Sequence, residues 1–174
     1  LTTAAGRLSS APLFIDDTPD LTVQGIRRKA MRVKEHTGLG LLIVDSLEFI
    51  RLSNMIMDSE IDHLERARSL KSIARTLDVP LILTANFDHE YLRRVDRRST
   101  LSDLLDQQIA IFADLVLLLH REKMAVHAND KKTDRELLDV NVAKNRCGPT
   151  GRVRLVLDRQ YLNLTEQDQT SLLV

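Results

Sequence analysis

Three short aliphatic runs set apart by amphipathic stretches constrain the fold most: Leu41-Leu-Ile-Val44, Leu81-Ile-Leu83 and Leu115–Leu119. Each is too short for a helix and lacks polar alternation, which is how strands buried on both faces read. Between the first two, a stretch from about Asp58 to Leu77 places Ile61, Leu64, Ile73 and Leu77 on one helical face. Strand, helix and strand in succession predict an α/β fold with a mainly parallel sheet flanked by helices. Leu13–Ile15 reads as a first strand. Thr22 then caps a helix carrying Val23, Ile26, Ala30 and Val33 on its apolar side and Arg27, Arg28, Arg32 and Lys34 on the other, with Gly38 ending it. At 174 residues and 43% hydrophobic content, one domain with a real core is expected.

Further along, residues 86–100 have little apolar periodicity and bunch Arg93, Arg94, Arg97 and Arg98, as a long surface loop does. Leu101 to Ala113 is expected to be helical, 121–136 to be a charged loop, and 142–157 to form a hairpin. The domain is expected to span 1–165, with a frayed tail over 166–174.

Charge excludes an easy argument for nucleic acid: 25 Lys and Arg cancel 25 Asp and Glu, so any such contact needs a local patch. With 3% aromatic residues and no Trp, a base-stacking platform is not expected, and DNA would be held by its backbone. The single Cys147 forms no internal disulfide, and neither a charged-then-apolar leader nor a run of 18 apolar residues occurs. A cytoplasmic protein without membrane contact is expected. Histidines 36, 63, 89, 120 and 127 lack metal-ligand spacing with Cys147, which argues against zinc.

Chemistry concentrates in Val142-Ala-Lys-Asn-Arg-Cys-Gly-Pro-Thr-Gly151. Residues two apart on a strand point the same way, so Lys144 and Arg146 would lean together toward one target. The Gly-Pro-Thr-Gly turn that follows puts them at a hairpin rim, suited to a polyphosphate on a neighbouring molecule. The plainer alternative is a salt-bridged, solvent-facing hairpin. Asp45 ends an aliphatic strand, where ligands of open α/β sheets bind, and could hold a hydrated magnesium ion beside nucleotide phosphates. It could equally be a loop or capping carboxylate. Asn86 ends the next run, where an Asn commonly starts a turn.

The blocks LFIDDTP (13–19), GLGLLIVDSLEF (38–49), RSLKSIARTLDVPLILTAN (68–86) and VAKNRCGPTG (142–151) together resemble the C-terminal motor domain of DnaB-type replicative DNA helicases. These are hexameric members of the RecA-like P-loop ATPases. The resemblance implies a RecA-like core with a C-terminal β-hairpin, and ATP and Mg²⁺ as cofactors. Implied partners are homo-oligomeric ring neighbours, single-stranded DNA, and a helicase loader or primase. It also implies roles: Asp45 as the Walker B carboxylate, Asn86 in place of the sensing Gln, and Lys144 and Arg146 as cations reaching a neighbour's γ-phosphate. Arg93, Arg94, Arg97 and Arg98 would contact DNA from pore-facing loops.

Two departures matter. No G-x-x-x-x-G-K-[ST] loop, whose amides and lysine hold phosphates in this fold, occurs in the 174 residues. The pore segment reads Asp103-Leu104-Leu105-Asp106-Gln107, with Leu105 where the family carries a basic residue. Two functions stay open: part of an ATP-driven helicase, or a non-catalytic helicase-like interaction subunit. Either way, this polypeptide alone is not expected to hydrolyse ATP efficiently. Asp16-Asp17-Thr18-Pro19 is read as a structural turn cap.

Overall fold

A computed structural model describes residues 2–52, 59–86, 100–101, 109–123 and 135–166. In chain order these form α1 (Thr2–Ser9), α2 (Val23–Thr37), β1 (Leu42–Val44), a 3-10 turn (Leu47–Phe49), α3 (Ser59–Leu77) and β2 (Leu81–Leu83). A short α4 (Ile109–Phe112) follows, then β3 (Leu115–Lys123), β4 (Arg135–Asn145), β5 (Gly151–Asp158) and β6 (Asn163–Glu166). The fold is α/β. Arg93, Arg94, Arg97, Arg98, most of the expected 86–100 loop and the 102–108 part of the expected 101–113 helix lie outside the described residues.

α2 begins and ends where its sequence predicts. The Thr22 hydroxyl accepts the Gly25 N–H at 3.1 Å, filling one orphan donor of the first turn. Gly38 closes the helix at φ 83°, a left-handed conformation that a side chain would oppose, and its N–H returns to Lys34 O. Val23, Ile26 and Ala30 turn inward against Leu70, Ile73 and Leu77 of α3, with Leu47, Ile50 and Val79 completing the core. Leu47 and Leu70 are only 1% exposed. Each fully buried leucine contributes about 1.5–3 kcal/mol of transfer free energy, so this cluster holds the two helices to the strands.

β1 and β2 run parallel, pairing Leu42 with Leu81, Ile43 with Ile82 and Val44 with Leu83. Leu42, Val44, Leu81 and Leu83 pack on the core, and Ile43 and Ile82 face the other way. β3 to β6 form a separate antiparallel sheet in sequence order.

Three expectations change. Leu13–Ile15 forms no strand: among the described residues it has no ladder partner, and Leu13, Phe14 and Ile15 are 60%, 58% and 84% exposed. Apolar content makes a run strand-like, but a neighbouring edge must complete it. The expected charged loop over 121–136 is strand at both ends, because Arg121, Glu122 and Lys123 pair with Leu138, Leu137 and Glu136. Charge is tolerated there since Glu136, 5% exposed, lies 3.1 Å from Arg121 Nε and 3.6 Å from Arg159 Nη1. Glu166, expected to fray, ends β6 opposite Leu155.

Candidate functional site

Parallel pairing brings the C-terminal ends of β1 and β2 to the same side, and with them Asp45 and Asn86. The Thr84 hydroxyl donates to Asp45 Oδ1 at 2.5 Å, while the Thr84 N–H bonds Val44 O and the Leu47 N–H bonds Thr84 O. Thr84 thus fixes the direction of the Asp45 carboxylate, which is exposed at the strand end. The Asn86 N–H donates to Glu48 Oε1 at 2.8 Å. Glu48 therefore joins the chain leaving β1 to the chain leaving β2.

Glu48 is half-sheltered, and burial pushes its carboxyl up, yet the net direction is down. The Ser46 hydroxyl beside it and the Asn86 N–H hold the charge, with His63 adding attraction. Of these, the Asn86 bond is the firm one, since Ser46 Oγ is buried with no hydrogen bond of ordinary geometry. An open trough of about 1880 Å³ adjoins these residues, lined by Phe14, Ile15, Ile43, Asp45, Glu48 and Arg66 among others.

Lys144 and Arg146 sit on the other sheet, and both side chains lean toward one segment, 110–114. β4 ends at Asn145, which leaves Lys144 in the ladder and Arg146 in the turn beyond it. The Arg146 N–H donates to Asp114 O at 2.8 Å, one step beyond the Leu115–Asn145 pair, so contact with the β3 side continues through Arg146. The Arg146 guanidinium then meets the same residue, Nη1 to Asp114 Oδ1 at 2.5 Å, while staying 57% exposed. Lys144 Nζ donates to Ala110 O at 2.7 Å and Ile111 O at 3.3 Å. Both cations are held within their own chain, at the junction of α4 and β3. Lys71 of α3 also bonds the Asp114 carboxylate, and that bond, with further attraction from Arg146 and Lys144, holds Asp114 below the usual carboxylate range. Among the described residues, three cations thus act on this one carboxylate.

Glu48, Thr84, Lys71 and Asp114 had not been singled out from the sequence. Glu48 had a signal in its place three residues beyond Asp45. Asp114 had none, because its partners lie 32 and 43 residues away. Asp16 behaves as the turn cap expected of it, accepting the Thr18 N–H at 3.2 Å and hydroxyl at 2.6 Å and pairing with Lys29.

Among the described residues no three His, Cys, Asp or Glu side chains converge as a metal site. A magnesium ion beside a nucleotide does not require three: it keeps several waters and takes one or two carboxylates plus phosphate oxygens. An exposed, oriented Asp45 fits that demand. No helix among the described residues is long and apolar enough to cross a membrane.

Comparison with known proteins converges on one family. The family described as the DnaB-like helicase C-terminal domain matches residues 1–166. The chain is 35% identical over 163 residues to the replicative DNA helicase DnaB of Geobacillus stearothermophilus, covering 92% of this chain and 35% of that protein. It is 37% identical over 164 residues to the replicative DNA helicase DnaC of Bacillus subtilis, again covering 92% and 35%. The chain thus spans about a third of these relatives, 35% in each case. Among solved structures, the ATPase domain of G40P superposes with TM-score 0.83 at 26% identity, covering 96% of this chain and 59% of that one. A DnaB-like replicative helicase, described together with its interactions with primase, gives TM-score 0.83 at 26% identity, covering 97% and 40%.

Proposed function

Since this chain belongs to the DnaB-like helicase C-terminal domain family, we propose that it is the later part of the ATP-driven motor of a replicative DNA helicase, working in the cytoplasm as one segment of a ring. The observation that carries this reading is the convergence of Asp45 and Asn86 at parallel strand ends, tied together through Thr84 and Glu48. That is where a RecA-like sheet receives its nucleotide.

In this reading Asp45 holds the magnesium water shell, oriented by Thr84, and Asn86 offers its side-chain amide to the γ-phosphate. Its backbone is already fixed by Glu48, which shortens the search for that geometry. Magnesium, when bound, neutralises charge on the phosphate oxygens. Lys144 and Arg146 act on the triphosphate of the next subunit, where charge builds as the phosphoryl group transfers. To reach it Arg146 exchanges Asp114 for phosphate, an exchange that its exposure permits. Arg93, Arg94, Arg97 and Arg98 supply backbone contacts to single-stranded DNA, and a loader or primase is the further partner.

The test expresses the longest open reading frame that contains this chain and measures ATP hydrolysis and strand separation. The proposal expects both, with hydrolysis depending on Asp45 and Arg146. A second reading, a non-catalytic helicase-like subunit, is favoured by Leu105 at a pore position and by the lack of a phosphate loop within these 174 residues. A product that forms rings with a helicase yet neither binds nor hydrolyses ATP would decide for that alternative.

A further inference from the structure

We propose that Asp114 is a positioning residue for the cations of the β4–β5 turn, holding Arg146 ready at the α4–β3 junction until a neighbour's triphosphate displaces the carboxylate. The inference deepens the proposed function and rests on it for the identity of the displacing anion.

Residue 146 is tied to residue 114 twice. The main-chain bond from Arg146 N to Asp114 O, 2.8 Å, fixes where the side chain starts. The Nη1–Oδ1 contact, 2.5 Å, fixes where it ends. Lys144, anchored on Ala110 O and Ile111 O, is set by the carbonyls just before the same aspartate. The segment 110–114 therefore orders both cations together.

Strength decides what kind of contact this is. Arg146 is 57% exposed and Asp114 50%, and ion pairs so exposed are screened and weak. A buried pair would lock the arginine in place; this one orients it and lets go. Arg146 presents five donors in a fork that matches phosphate oxygens. A triphosphate carries more charge than one carboxylate, and among the described residues it meets three cations, Lys71, Lys144 and Arg146, around that one anion, so the exchange runs toward phosphate. Asp114 does not follow the departing arginine, because Lys71 of α3 holds the same carboxylate. The anchor stays, and Arg146 has a place to return to after phosphate release.

Two measurements test this. In the full 174-residue chain labelled with ¹⁵N, the Arg146 Nε–Hε signal should report an ordered guanidinium, and Asp114→Asn should make it mobile. In the longest natural protein that carries the chain, Asp114→Asn should lower kcat for ATP by about tenfold, as misplacing a reacting group does. KM for ATP should stay within about twofold, because the neighbour's phosphate loop and not Arg146 supplies ground-state binding. Asp114→Glu should recover most of the lost kcat. A merely structural role would alter stability and KM without this split and without rescue. An Arg146 signal equally mobile in wild type and Asp114→Asn overturns the anchor. So does an unchanged kcat in Asp114→Asn while Arg146→Ala is inactive, an outcome that leaves the motor function standing. Full turnover in Arg146→Ala removes the trans role of Arg146 and this proposal with it, whereas a wild-type protein that hydrolyses no ATP overturns the motor function itself.

Discussion

Arg146 shows how far residue identity carries. Its charge, its spacing from Lys144 and the turn after it are visible in the chain, whereas the ion pair with Asp114 is a tertiary fact with no local trace. If Arg146 serves the neighbour's site, Arg146→Ala in the assembled protein should lower turnover by about 10³–10⁵ and leave nucleotide affinity largely intact; single-turnover hydrolysis beside equilibrium binding measures both. Asp16 allows a second prediction. Its carboxyl falls from an ordinary 3.8 to about 2, first through the Lys29 hydrogen bond and then through the Thr18 hydroxyl and N–H. The unfolded chain thus takes up that proton first as pH drops. The contribution is complete above the unfolded value of 3.8 and fades as pH falls toward about 2. Asp16→Asn should therefore melt below wild type at neutral pH, with the gap closing over that acid window. Two melting-temperature curves that stay parallel from neutral pH to the acid end would remove the linkage.

At the scale of elements, local chemistry and periodicity predict the helices well and the strand partners poorly. α2 starts at the Thr22 cap and stops at Gly38 because both signals act through the backbone within one turn. Thr22→Ala should accordingly cost about 1 kcal/mol, read from urea unfolding as a lower midpoint with unchanged slope. α3 was legible from Ile73 and Leu77, yet its most enclosed side chain is Leu70, which continues the same stripe. Leu70→Ala should cost about 2–5 kcal/mol, a large share of a typical net stability of about 5–15 kcal/mol. A loss near that of an exposed leucine such as Leu8 would mean that the stripe is not the core. Leu13–Ile15 marks the opposite case. Three apolar residues satisfy a strand pattern, but hydrogen-bond partners from another strand make a strand, and composition says nothing of whether they are there.

For the whole molecule, the unrelieved aliphatic runs that predicted an α/β sheet also predicted cover on both faces, and the described residues supply it on one. Ile43 and Ile82, paired across β1 and β2, are 59% and 50% exposed, and Ile43 lines the trough with Leu13, Phe14 and Ile15. On the second sheet Leu117, Leu119, Val153 and Leu164 are each about half exposed, and Leu119 and Val153 flank Val140 on a shared face. Single exposed leucines are ordinary, but contiguous apolar faces next to unpaired strand edges drive association. The 174-residue chain by itself should therefore sediment as a concentration-dependent mixture. Added salt should not disperse it, since apolar burial and not ion pairing holds the contacts. Ile43→Lys combined with Ile82→Glu places opposite charges at directly facing positions, which a sheet accepts, and it makes the patch costly to bury. That double variant should keep the helical circular dichroism of the parent and shift the sedimentation profile toward monomer. A wild-type chain that stays monomeric across a full dilution series would show that these faces are satisfied within the molecule.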